Sequence, residues 1–524
     1  MAIRVSQRQI FANMIGGMNG SLTTLMDLHA QDTSQKKVNK PSDDPYAAAQ
    51  ILASNNTLAS IRQYKDNLSM ARGWISQADN ALSLVDEELV ALQTILQQGA
   101  TTELTPDQRR ALGTRARSIL DQLISYANTP FSGRSIFAGH KTDGNAYERV
   151  PSAHFKDPNL SDVKFKTTGN NETHAVIQFT EDGTLTTDAD GNLTGSNPAF
   201  RYSLDGGKNW LDGSWETDPS GQPIMRAGPV TLQPLVSEAA TTVDITAVDT
   251  TNEHENGNGI AGDPHEYVNG TWIYVSPSAQ YMGDTNDATV TQVYPVAVGA
   301  PNVAGIQGKF NHDVAVRVDD VDGSTITYSY SLDNGGTWVE GNTSDTLDLH
   351  VPGGVLTLGA APRTDDQFVI RPYKADIEMN IGNNASIVVN NVGLNAFGGL
   401  YEAPFSEDGA QPVEGPNMFE LVSRAISAFE SNSQQGCQEV LGELKDVMGH
   451  VVNFRTMAGS RINRIESIGQ QLEYLEYDES DHLSALEDAD LSELLSKISA
   501  QQLAYNSILK TSSMIMQMSL MNFL

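Results

Sequence analysis

The residues able to do chemistry are few and dispersed. Ten histidines are present, with no HExxH pairing that would set two imidazoles on one helix face beside a general base. Cys437 is the lone thiol, so neither a CxxC pair nor an intrachain disulfide can form. No histidine lies close to it in the chain, and it reads as a plain buried or surface thiol rather than a nucleophile. No GxxxxGK[ST] loop is available to cradle phosphates. Asp188-Ala189-Asp190-Gly191-Asn192 starts as a calcium loop does, but the spaced ligands and the closing glutamate do not follow. A plain turn is the better reading. The expectation is a chain without catalytic, cofactor or metal residues.

One local pattern repeats. Tyr202-Ser203-Leu204-Asp205-Gly206-Gly207-Lys208-Asn209-Trp210 matches Tyr330-Ser331-Leu332-Asp333-Asn334-Gly335-Gly336-Thr337-Trp338. A strand enters, Asp and the Gly pair turn it, and a Trp opens the returning strand. The second copy resembles the Asp-box hairpin of sialidases and other β proteins, and in the first copy Asn209 stands where the box has Thr. That box is a structural turn. A sialidase would need several of them around a propeller with an arginine cluster. The pair therefore suggests two related β modules, near 150–230 and 300–373. A glycan-binding or glycan-hydrolysing insert is the alternative from a different function class.

The elements around this insert are helical. From Ile61 through Leu68, Ile75, Leu82 and Leu89 to Leu96, apolar residues recur at alternating spacings of 3 and 4. Such a seam predicts a long helix, about 55 Å over those residues, that needs an equally long partner. Asp44-Pro45 supplies its N-cap and first position, and Gln97-Gln98-Gly99 its end. Thr105-Pro106-Asp107-Gln108 is a capping box for a second helix, which Asn128-Thr129-Pro130 stops. Residues 3–36 also read as helix, with Ile10, Met14, Met18, Leu22 and Leu25 on one side and Gly16, Gly17 and Gly20 weakening it. The C-terminal end mirrors this. Asn417 and Glu420 start one helix, a longer one spans roughly 437–477 with Phe454, Ala458, Arg461, Ile465, Ile468, Leu472 and Leu475 on its seam, one of them charged, and the acidic run Glu473–Asp481 follows. A last helix begins near Asp490 and runs through Leu494, Ile498, Gln501, Tyr505, Ile508, Ser512 and Ile515, two of them polar. The end, with Met518, Phe523 and Leu524, is apolar on more than one side, which marks a buried or partner-covered helix.

The middle, 141–416, is rich in Gly, Asn, Asp and Thr. Alternating runs such as Ala175–Phe179 and Val314–Val318 read as strands, and Asp182-Gly183, Asp190-Gly191 and Asp322-Gly323 as hairpin turns. It also holds the acidity. The formal charge is +1 over 1–140, −25 over 141–416 and −8 over 417–524, together −32. Clustered positive charge for nucleic acid or anionic membrane is absent. The N-terminus shows no charged and apolar Sec-type leader, and no run approaches 18 apolar residues.

Motifs sharpen this layout. Asn39-Lys40-Pro41-Ser42-Asp43-Asp44-Pro45, followed by Tyr46-Ala47-Ala48-Ala49, resembles the N-P-S-D-D-P-x-A-A segment of the flagellar hook-associated protein 3 family. Lys40 and Tyr46 depart slightly from it. Gly133-Arg134-Ser135-Ile136-Phe137-Ala138-Gly139 resembles that family's G-R-Y-I-F-A-G, and Glu487-Asp488-Ala489-Asp490 is similar to an E-D-A-D element shared with flagellins. The short ending Leu520-Met521-Asn522-Phe523-Leu524 is similar to that of junction proteins. The resemblance covers about 1–140 and 417–524.

It implies a mainly α, flagellin-like antiparallel bundle or coiled coil at the ends and a β-rich inserted outer domain. Residues 1–44 and 486–524 would form an inner tube, 45–140 and 417–485 a rod, and 141–416 a surface insert. It further implies a structural, non-enzymatic subunit joining hook to filament, exported through the flagellar type III apparatus with a dedicated chaperone to an extracellular position. Its partners would be hook-associated protein 1, flagellin and neighbouring copies of itself, with no nucleic acid and no membrane insertion. A flagellin-type filament subunit is the close alternative. Ile10, Met14, Met18, Leu22, Leu25, Ile498, Tyr505, Ile508, Ile515, Met518, Phe523 and Leu524 are the candidate assembly residues.

Overall fold

A computed structural model describes residues 7–155, 163–170, 174–186, 197–217, 221–236, 242–247, 271–285, 289–294, 303–308, 310, 313–333, 335–372, 375–402 and 410–521. Long helices occupy both ends and strands fill the middle. The helices are α1 (Gln7–Ser34), α2 (Pro45–Gly99), α3 (Pro106–Ala127), the short α4 (Gly393–Phe397), α5 (Met418–Glu430), α6 (Gln434–Glu487) and α7 (Leu491–Met521). The chain divides into two compact units. One holds residues 1–70, 380–386 and 464–524, and the other holds 71–379 and 387–463.

In the first unit α1 packs on α7, and the opening turns of α2 lie along the last turns of α6. The sequence caps form as expected. Asp44 Oδ1 accepts from the amides of Tyr46 and Ala47 at 3.1 and 3.0 Å, and Asp490 Oδ1 from Ser492 and Glu493 at 2.8 and 3.1 Å. Each satisfies amides that a helix start leaves bare. The helix read as 3–36 is described from Gln7 and ends at Ser34, because Gln35 takes a positive φ of 57°.

The helix read as 437–477 is longer, Gln434–Glu487, and passes through the acidic run. Its acids face solvent or, like Glu476, meet cations, so the run carries no breaking signal. One seam residue is corrected: Leu475 is 46% exposed. After Leu472 the inward position is four residues on, at Glu476, whose carboxylate pairs with Lys65 Nζ at 2.8 Å and Arg62 Nε at 3.5 Å.

In the second unit the seam residues Ala71, Ile75, Ala78, Leu82, Val85, Leu89, Leu92 and Leu96 are buried. Arg455 of α6 reaches Asp86 at 3.5 Å and Asp79 at 3.8 Å on α2. Thr105 and Gln108 complete the capping box of α3. Pro130–Phe131 and Arg134–Ser135 make a tight hairpin, and the segment then buries Ile136, Phe137 and Ala138, with the Phe137 ring 4.9 Å edge-on to Phe397.

The strands of this unit form two sandwiches. In the first, Trp272–Tyr281 is the central strand, paired with Tyr147–Phe155 and Ala175–Phe179, and Phe200–Ser203 extends the sheet. Facing it is a sheet of Val163–Gly169, Val230–Val236, Pro223–Ala227 and Ser214–Thr217. Ile177, Phe179, Met225, Leu232, Ile273 and Val275 fill the space between.

The second sandwich pairs a five-stranded sheet around Val314–Asp322 with a three-stranded one around Gly354–Leu358, over Val316, Val318, Leu356 and Phe368. The module expected at 150–230 therefore draws its central strand from 272–281. That segment is buried along nearly its whole length, and the apolar-polar alternation that marks a half-exposed strand is missing from it. Asp322-Gly323 turns a hairpin as expected, with Gly323 at φ 62°. Asp182-Gly183 does not: Gly183–Thr186 pairs with Thr242–Ile245 instead. Asp190-Gly191 and the Asp188–Asn192 segment lie outside the described residues.

Candidate assembly interface

The candidate residues of the first unit sit on α1 and α7. Leu494 and Ile498 of α7 are buried, while Met14, Met18, Leu22 and Leu25 of α1 and Tyr505 and Ile508 of α7 are half-buried. Gln501 Nε2 donates to both the carbonyl oxygen and Oγ of Ser21, at 3.1 and 3.0 Å. Ile10, Ile515 and Met518 belong to these helices with side chains outside the described set, and Phe523 and Leu524 lie beyond the described residues. The pair leaves apolar surface open: Leu503 is 70% exposed and Met26 62%. A Cβ on Gly16, Gly17 or Gly20 would meet nothing within 4 Å. Two helices alone thus cover only one strip of each other.

Next to this pair, two of the motif segments form small devices of their own. Asp43 Oδ2 accepts from the amides of Asn39 and Lys40 at 3.1 and 2.9 Å, folding the Pro41 turn. Lys36 and Asp488 form a β-bridge, the Lys37 amide donates to the Glu487 carbonyl at 2.6 Å, and the Ala489 amide donates to the Gln35 carbonyl at 3.0 Å. Lys36 also ion-pairs with Glu487. Residues 35–37 and 487–489 therefore hold each other where α1 passes to α2 and α6 to α7.

The remaining chemistry candidates resolve as structure. Asp333 Oδ1 accepts from the Thr337 amide at 2.7 Å and Oδ2 from its hydroxyl at 2.8 Å, while Ser331 Oγ donates to Oδ1 at 2.7 Å. The Thr337 amide first, and these hydroxyls after it, lower the carboxyl to about 2. Asp205 makes the same turn with Asn209, at 2.9 Å to its amide and 2.6 Å to its side chain. Both carboxylates are spent on their own loops. Cys437 is buried, and burial pushes its thiol up to about 12 against the pull of Arg109. Among the described residues, no group of three or more His, Cys, Asp and Glu is arranged to hold a metal.

Two features escaped sequence reasoning. Arg109 is fully buried and donates to the carbonyls of Gly99 and Thr101 and to Asn432 Oδ1. Glu420 Oε1 meets His154 Nδ1 at 2.5 Å, and His154 Nε2 meets Ser423 Oγ at 2.8 Å. The second has the order of an acyl-transfer triad. Ser423 is wholly buried, however, and its hydroxyl also donates to the Ser276 carbonyl at 3.3 Å. His154 and Glu420 line a cavity of about 840 Å³ that Ser423 does not border. No local pattern could have joined residues 269 positions apart.

Residues 5–142 match the family model of the bacterial flagellin N-terminal helical region. The chain is 31% identical over 149 residues to flagellar hook-associated protein 3 of Salmonella typhimurium, covering 28% of this chain and 47% of that protein. Over 142 residues it is 31% identical to flagellar hook-associated protein 3 of Escherichia coli, covering 27% and 45%. The chain thus spans about half the length of the curated relatives it matches. Among solved structures it is similar to FlgL of Xanthomonas campestris (12% identity, TM-score 0.30, 82% of this chain and 99% of that one). It is also similar to hook-associated protein 3 of Legionella pneumophila (14%, TM-score 0.31, 83% and 98%). Those structural likenesses are weak and carry no argument about role. Among the described residues, no helix is long and apolar enough to cross a membrane.

Proposed function

We propose that this chain is a structural subunit of the bacterial flagellum that joins the hook to the flagellin filament. The observation that carries the reading is the similarity to two hook-associated proteins 3 together with the match of residues 5–142 to the flagellin N-terminal region. The geometry supports it. Helices from the two chain ends pair, their outer faces keep exposed Leu503, Met26, Ile15 and Met514, and the residues with chemical potential are committed to turns and buried contacts. A subunit whose ends bury their apolar strips only among copies has this character. Its partners are hook-associated protein 1 on one side, flagellin on the other, and copies of itself in a layer. A type III export chaperone accompanies it before export to an extracellular position.

Deleting the gene in a flagellated host tests this. Cells that build hooks but shed flagellin monomers support the junction role, and intact filaments refute it. The flagellin match also fits a filament subunit, and abundance separates the two: a filament protein is made in vast excess over a junction protein.

A further inference from the structure

The sheet around Trp272–Tyr281 has two unlike faces. Alternate residues Ala175, Ile177, Ile273 and Val275 enter the sandwich core. Those between them, His174, Gln178 and Ser276, face the other way, and there Ser276 meets α5. Ser276 Oγ lies 2.6 Å from Ser427 Oγ and 2.9 Å from His174 Nδ1, and Ser423 donates to the Ser276 carbonyl. On the neighbouring strand, Ser152 Oγ donates to Glu420 Oε2 at 3.0 Å, and His154 bridges Glu420 and Ser423. The hairpin at Gly206 presses the Glu430 carbonyl so closely that a Cβ there has no room. Beside the apolar contact of Phe419 with Tyr147, whose ring centroids lie 4.6 Å apart, this seat carries hydroxyls, imidazoles and carboxylates, and it is more polar than the core one layer away.

We propose that this seat is an acid-released joint: protonation of His174 frees the sheet from α5 while the sandwich core and the helices remain folded. His174 is enclosed, and its Nε2 has no hydrogen-bond partner. The charged groups around it leave no anion for an imidazolium. From α3 comes Arg117, whose guanidinium already holds Glu430 of α5 at 2.5 Å. From the strand Tyr147–Phe155 comes His154, which holds Glu420 of α5. Trp272–Tyr281 offers the Ser276 hydroxyl and the backbone of Val275, whose hydrogen bond pulls the imidazole weakly the other way.

Burial first, then Arg117 and His154, lower His174 from 6.5 to about 3. A released imidazole titrates near 6.5, so the seated form binds fewer protons between those values. Seating therefore weakens as pH falls below 6.5, and the loss is complete near 3. At pH 4.5 the seating equilibrium drops about 100-fold. The inference stands independently of the junction role.

Hydroxyl-radical footprinting of the full chain between pH 7 and 4, with hydrogen exchange beside it, tests this. Oxidation of Tyr147, Tyr274 and Phe419, which are buried at neutral pH, should rise in acid. Met225 of the sandwich core should stay shielded, the α5 amides should keep their protection, and His174→Gln should abolish the rise. A His174→Gln chain whose oxidation rises over the same pH range overturns the proposal, and so does exposure of Met225 or loss of α5 amide protection in step with the rings. If His174→Gln fails to fold, the pair Ser276→Cys and Ser427→Cys decides. Oxidised, it should keep the rings shielded at pH 4.5, and reduced, it should expose them. Equal exposure in both forms contradicts the joint.

Discussion

Arg109 Nε donates to the carbonyl oxygen of Gly99 at 3.0 Å, so a buried cation closes the C-terminus of α2. The same guanidinium reaches the Thr101 carbonyl at 2.6 Å and Asn432 Oδ1 at 2.8 Å in the turn between α5 and α6. Three helix ends thus meet on one side chain, in the place where unsatisfied carbonyls concentrate and a positive charge is favoured. Arg109→Leu should cost about 3 kcal/mol, because the buried carbonyls and Asn432 lose their donor. Denaturant unfolding measures this, and Arg109→Lys should recover only part of the loss, having no fork to span three acceptors.

Gly99 faces the ring of Phe429, and a Cβ there would also lie 3.1 Å from Cys437 Sγ. Gly99→Ala should destabilise by about 1–3 kcal/mol through overpacking. In the native chain at pH 8, Cys437 should react with a thiol reagent only at the rate of unfolding, since burial holds it protonated. Rapid labelling without denaturant would contradict the packing described here.

The turn at Asp333 carries its own pH signature. Its carboxyl is lowered from 3.8 to about 2, so the stabilisation is complete above 3.8 and disappears as pH falls through 2. Asp333→Ala should loosen the strands Thr325–Ser331 and Val339–Ser344 at neutral pH, seen as faster amide exchange there. In the Ala variant the acid-dependent part of that exchange should be absent.

Leu494 and Ile498 are the buried side chains of α7 among the described residues. Replacing both by Ala should accelerate exchange across α1 and α7 and leave α3 and α5 unchanged. Even in the unaltered monomer, α1 and α7 should exchange faster than the α2 residues between Ile75 and Leu96, because the pair buries one narrow strip.

Much of this was legible beforehand, for identifiable reasons. The caps at Asp44, Thr105, Asn417 and Asp490 are local chemistry, and all four form. The heptad seam from Ile61 to Leu96 reports burial through spacing alone. What stayed hidden depends on distant residues. Leu475 gives way to Glu476 because Lys65 and Arg62 stand opposite. Trp272–Tyr281 enters a sandwich begun at Tyr147. Glu420 looks like half of a capping box, yet its carboxylate goes to Ser152 and His154.

The central claim concerns place, and immunogold labelling of whole flagella with antibody to residues 141–416 tests it most directly. A single labelled band where hook meets filament is the result expected of a junction subunit. Label along the whole filament, or none on the flagellum, would contradict it.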